Sequence, residues 1–167
     1  MGDRQEFAAV ESGAKKEIRI AGGIRSGERI CLRIASPVRG FALRVFLSSL
    51  FLKRRDIAFV ADERDATLIL TDASLDTVSA ALLDSVLAGT TAAYLRHDDA
   101  VRVVSPFAAL PDARLSAYAR ANGWTGPADD QPGETLQFLQ TFSQTRPGTQ
   151  YALKNVADKL SMIRRPE

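Results

Sequence analysis

Cysteine and histidine are almost missing from this sequence: Cys31 and His97 are the single members of their kinds. A structural zinc site takes about four such ligands and an iron–sulfur cluster several thiolates. This chain alone can build neither, and it can form no internal disulfide. Long apolar runs are lacking as well. The most apolar stretch, Phe41 to Leu52, is interrupted by Arg44 and Ser48-Ser49 and falls short of the roughly 20 residues that cross a bilayer. The first 16 residues lack an apolar signal region, and Asp3, Glu6 and Glu11 argue against a transit peptide. The expectation is a soluble, intracellular protein with no membrane segment, metal or cofactor. An excess of one charge sign is lacking too. Lys and Arg number 22 against 20 acidic residues, so any nucleic-acid footprint must be local.

What remains is the composition of a globular protein, 46% hydrophobic and 25% charged over 167 residues. That length fits one domain with one core. Residues 1–16 hold no sustained apolar period and contain Gly2, Ser12 and Gly13. They read as a mobile leader ahead of a single α/β domain over 17–167. Ile18-Arg19-Ile20 and Ile30-Cys31-Leu32-Arg33-Ile34 alternate as half-buried strands do, either as a hairpin or as two separate strands.

Pro37 opens a helix that is apolar on both faces. Ile57 to Val60 is a short apolar run, and Ala66 to Thr71 a stronger one that reads as a buried parallel strand. Ser74 reads as the N-cap of a helix carrying Leu75, Val78, Leu82 and Val86, which Gly89 ends. Val101 to Val104 is a further strand. Pro111 and Gly123 bracket the next helix, and helices over 134–145 and 150–163 form a hairpin through Arg146-Pro147-Gly148. Strands alternating with helices call for a largely parallel sheet.

Ligands of such sheets sit beyond the carboxyl ends of the strands, which directs attention to two loops. Ser36, Arg39 and Gly40 follow the first strand, where a phosphate loop could lie, but Pro37 removes an N–H donor and Val38 fills space. An ordinary capped turn is the plainer reading. Asp72, with Thr71, Ser74 and Asp76, follows the central strand, where N-capping and the helix dipole already account for these residue types. Cys31 reads as a core thiol, His97 as a solvated loop residue, and Trp124 as a plug at a helix end. Two basic clusters, Lys53-Arg54-Arg55 and Lys154, Lys159, Arg164 and Arg165, are candidates for phosphate or nucleic-acid contact, although positive charge near a helix C-terminus is favourable without any ligand.

Several segments in order resemble a known family. A strand and loop, Leu68-Ile69-Leu70-Thr71-Asp72-Ala73-Ser74, lead to a helix ending Leu87-Ala88-Gly89. The strand and loop Val103-Val104-Ser105-Pro106-Phe107 then precede a helix from Pro111. Leu139 to Thr149, with its Pro147-Gly148-Thr149 turn, leads into the closing segment Asn155 to Leu160. This succession is similar to the cytoplasmic tRNA 2-thiolation protein 2 family, the degenerate ATP pyrophosphatase-fold partner of the wobble-uridine thiolase. The resemblance implies a reduced Rossmann-like fold of the adenine nucleotide alpha hydrolase type, closed by a C-terminal helical hairpin.

Active members of that fold carry Ser-Gly-Gly-x-Asp-Ser after their first strand; here the segment reads Ser36-Pro37-Val38-Arg39-Gly40-Phe41. Ser36, Arg39, Gly40 and Asp72 would then be the remnant of a nucleotide site, with no catalytic residue. The resemblance implies a non-catalytic partner subunit of a tRNA U34 2-thiolation complex, bound to a catalytic thiolase subunit and helping to hold tRNA. Phe41, Val45 and Leu52 on the first long helix, and Leu153 and Leu160 on the last, are the interface candidates. The alternatives are a small nucleotide-binding enzyme that also uses Asp76, and an interaction subunit of an unrelated assembly.

Overall fold

The computed structural model describes residues 2–94, 101–129 and 132–163. The elements run α1 (Gly2–Ile20), β1 (Arg29–Arg33), α2 (Pro37–Phe51), β2 (Ala58–Phe59), β3 (Leu68–Thr71), α3 (Leu75–Leu87), β4 (Arg102–Val104), α4 (Asp112–Ala121), α5 (Glu134–Thr145) and α6 (Thr149–Met162). They fall into two compact units, residues 1–74 with 101–129 and residues 75–100 with 130–167.

The first unit holds the sheet. Its order is β2-β1-β3-β4 with every pairing parallel. The chain moves outward from β1 to β2, then returns to β3 on the other side. The carboxyl ends of β1 and β3 therefore flank the point where the strand order reverses. Ile30, Leu68, Leu70 and Val104 form the buried apolar face, against which α2 lays Ala42, Leu43, Phe46 and Leu47. Leu115, Tyr118 and Ala119 of α4 join the same core, as does Phe107 from the loop after β4. Cys31 and Ile69 sit in a smaller buried cluster with Ala66, and the Cys31 thiol lies 3.7 Å from the Ala61 carbonyl.

The largest departure from expectation is at the start. In the segment 1–16, expected to be a mobile leader, the described residues from Gly2 onward are helical, and Ile18 to Ile20 complete the same helix rather than forming a strand. The cause is a narrow stripe. Val10, Ala14 and Ile18 recur every four residues and are buried in the core, while Ile20 is exposed. Small residues hide the period: a Cβ on Gly13 would lie 3.1 Å from Leu110, so its absence lets α1 approach closely. Gly22, at φ +93°, ends the helix, with the Gly23 N–H reaching back to the Ile18 carbonyl at 2.9 Å. Arg102 then holds this end against the sheet, donating to the carbonyls of Ala21 (2.8 Å) and Gly23 (3.0 Å) and to the buried Glu28 carboxylate (2.5 Å).

The second unit is helical. α5 and α6 form the expected hairpin through Gly148, at φ +90°, and α3 packs against both. Lys154 is buried here and pairs with Asp158 at 2.7 Å. Asp76 accepts from Gln150 at 2.9 Å, and Thr135 donates to Asp84 at 2.5 Å.

Gly40 fixes how closely α2 meets β1. A Cβ there would fall 2.3 Å from Cγ2 of Ile34, well inside contact distance. Gly40→Ala is therefore expected to lower the unfolding free energy in urea by about 1–3 kcal/mol through overpacking. Adding Ile34→Ala should recover part of that loss. Equal stability of Gly40→Ala and the parent chain would contradict the packing role.

Candidate functional site

The first unit gathers most of its buried polar groups at the reversal point, and the Asp72 carboxylate is their centre. Standing at the end of β3 and almost fully buried, it accepts from the backbone N–H groups of Ala35 (3.0 Å) and Ser36 (2.8 Å) in the turn after β1. Ser36 caps α2: its Oγ accepts from the Arg39 N–H at 3.1 Å. The same hydroxyl donates to the Asp129 carboxylate at 2.5 Å. Arg39 turns back over this cap, with Nη1 3.3 Å from Asp112 and 3.4 Å from Asp129, and Nε 4.0 Å from Asp72. One guanidinium thus stands among three carboxylates.

Of the expected remnant, Ser36, Arg39 and Asp72 do come together. Gly40 lies one helical turn in, and its lack of a side chain serves the contact with Ile34. Asp112 and Asp129 were not foreseen. Asp112 opens α4, where first-turn acids are commonplace, so its position carried no distinguishing signal. Asp129 lies 93 residues from Ser36 in an irregular segment without periodicity. What delivers it is Trp124, whose ring packs on Phe41 with centroids 5.3 Å apart. The following chain folds over that ring: Nε1 donates to the Pro127 carbonyl at 3.2 Å, and Gly126 sits where a Cβ would be 2.5 Å from Cζ2. Trp124 is thus the anchor of a strap over 125–129, beyond the plug expected of it.

This geometry decides what the turn can do. A phosphate cradle needs convergent backbone N–H groups free to face a ligand. Here those of Ala35 and Ser36 point to Asp72, that of Arg39 to the Ser36 hydroxyl, and that of Gly40 (2.8 Å) to the Ser36 carbonyl. Pro37 has none, which leaves only Val38. The position a phosphate would take is lined by carboxylates, and Asp129 already fills the role of the anion. Beside it, the Thr71 and Ser105 hydroxyls bond to each other at 2.7 Å.

The other candidates are dispersed. Arg54 forms a two-pronged pair with Asp56 (3.0 and 2.6 Å) and donates to the Ile24 carbonyl. That pairing, with help from Ser26, holds the Asp56 carboxyl well below the usual carboxylate range. Lys53 and Arg55 are exposed, as is Lys159 on α6. Lys154, expected to face tRNA, is instead buried and paired, because it lies on the inner stripe of α6 with Ala157. Arg164, Arg165 and His97 lie outside the described residues. Among the interface candidates, Leu52 is exposed, whereas Phe41 and Val45 are half-buried against the core and Leu153 and Leu160 are half-buried on α6.

Asp72 and Asp129 should separate clearly on mutation. Asp72→Ala strands the buried Ser36 N–H and the partly buried Ala35 N–H and is expected to cost about 2–5 kcal/mol in urea unfolding. Asp129→Ala removes a partly exposed partner and should cost about 1 kcal/mol. The reverse order would contradict the central role of Asp72.

No protein-family model matches the chain, and no curated protein matches it in sequence. Among solved structures it is similar to the U34-tRNA thiolase NcsA from Methanococcus maripaludis, described with its [4Fe-4S] cluster, at a TM-score of 0.77 and 10% identity, over 95% of this chain and 79% of that one. At that identity the likeness is one of fold: a parallel α/β sheet of the ATP pyrophosphatase type with C-terminal helices.

Proposed function

We propose that this chain is a non-catalytic partner subunit in tRNA U34 2-thiolation, stabilising a catalytic thiolase subunit in the cytoplasm. Two observations support the reading. The fold matches that of a U34-tRNA thiolase along nearly its whole length. The observation that carries the non-catalytic half is the turn after β1, where Asp72 and the Ser36 cap take the backbone donors and Asp129 takes the anion's place. A [4Fe-4S] cluster of the kind named for that neighbour does not fit this chain's own residues. Its one cysteine is buried against the Ala61 carbonyl, and a cluster needs several thiolates. Among the described residues no group of three or more Cys, His, Asp or Glu is arranged to hold a metal, and no helix is long and apolar enough to cross a membrane.

The role left to such a chain is mechanical. It would supply a folded surface to a subunit that keeps the chemistry, with the exposed Lys159 on α6, and Arg164 and Arg165 further along the sequence, as the candidates for contact with tRNA phosphates. The test is the 2-thiouridine content of wobble-uridine tRNAs, read by mercury-gel retardation in cells depleted of the protein. Depletion should remove the modification, and both the parent chain and Cys31→Ser should restore it equally. Unchanged thiolation on depletion would overturn the reading. Failure of Cys31→Ser, with the variant folded, would overturn the non-catalytic assignment.

A further inference from the structure

An open apolar groove of about 470 Å³ runs along the β2 edge of the sheet, away from the Asp72 site. Leu32 and Phe59 line it from the sheet, Leu47, Phe51 and Leu52 from α2, and Arg44 stands at its wall. It lies on the face that α2 covers. Phe59 is in register with Ile30, a core residue, and so points to the same side, but α2 reaches only its edge through a Phe51–Phe59 contact at 5.9 Å. Leu52 is 82% exposed and Phe59 54%, an unusual load for adjoining large apolar side chains.

The strand beside the groove is unfinished too. Ala58 and Val60 donate to the Glu28 and Ile30 carbonyls of β1, at 3.2 and 2.9 Å. By the alternation of a strand, the amide and carbonyl of Phe59 face outward. β2 is terminal in the sheet order, so no strand meets them among the described residues. Charge adds direction. Arg44, Lys53 and Arg55 are exposed and have no ion-pair partner among the described residues. The nearest carboxylate in sequence, Asp56, is bound to Arg54.

We infer that this groove docks an extended, acidic and apolar segment of a partner protein, added to the sheet as a strand along β2. The unpaired main-chain groups match a peptide backbone, which nucleic acid cannot supply. The apolar walls take alternate side chains, and the unpaired cations take the carboxylates between them. RNA fits less well: the Phe51 and Phe59 rings meet edge-on at 68° rather than offering a flat stacking platform. The inference concerns which face is covered and by what chemistry, so it stands apart from the thiolation reading.

The test uses the full chain and a fluorescein-labelled peptide alternating glutamate with valine, compared by anisotropy with its lysine–valine counterpart and with a single-stranded oligoribonucleotide. The glutamate peptide should bind saturably and at least about tenfold tighter than either comparator. Leu52→Asp and Phe59→Asp should each weaken it by about tenfold or more. Phe142→Asp on α5 should leave it unchanged, and Arg44→Glu should shift preference toward the lysine peptide. Because Leu52 and Phe59 are exposed, their variants should keep the parent's urea midpoint, and amide exchange should show Phe59 protected in the complex. Preferential binding of the oligoribonucleotide, closure of the groove by a second copy in sedimentation, or indifference to Leu52→Asp and Phe59→Asp would each overturn the inference. Failure of the parent chain to bind the glutamate peptide, while that chain restores 2-thiouridine, would sink this inference alone.

Discussion

One buried carboxylate organises the functional end of the sheet. Asp72 sits where β3 stops, and the low dielectric around it makes an unpartnered charge costly. It is satisfied by the two N–H groups of Ala35 and Ser36 and by the nearby Arg39 guanidinium. Those donors belong to the turn that, in a nucleotide-binding sheet, would face a phosphate. Satisfying Asp72 therefore closes the turn. Everything else at the site follows: Ser36 can cap only α2, Arg39 must fold back over the cap, and Asp112 and Asp129 arrive to balance its charge.

The order β2-β1-β3-β4 places a crevice at the junction of β1 and β3, and this chain fills the crevice with its own side chains. Gly40 shows the exchange at a single residue. In a phosphate loop a glycine admits the ligand's oxygens, whereas here it admits Ile34. The strap anchored by Trp124 completes the closure by carrying Asp129 onto the Ser36 hydroxyl. Fold likeness to a U34-tRNA thiolase sets no requirement on the turn after β1, because fold is held by the apolar face of the sheet and function by a few polar groups at its end.

Much of this was legible in the sequence. The alternation from Ile30 to Ile34, the Ser36–Pro37 helix start and the hairpin at Gly148 each carry strong local signals, and local preference agrees there with the final packing. The leader was misread because its apolar stripe is one residue wide and flanked by alanine, serine and glycine. Only tertiary contact with Leu110 and the core makes that stripe a helix face. Site residues divided the same way. Ser36, Arg39 and Asp72 follow strands and could be named from position alone. Asp129 depends on a long-range fold of the chain over Trp124, and no pattern in a single sequence encodes that. Lys154 looked like surface charge until the pitch of α6 placed it beside Ala157 on the inner stripe.

The central claim is that the turn after β1 is closed by the protein's own groups and holds no nucleotide. Titration calorimetry of the full chain with magnesium ATP tests it most directly. The account predicts no saturable heat at millimolar nucleotide. Saturable one-to-one binding that is lost in Arg39→Ala, with that variant still folded, would contradict it.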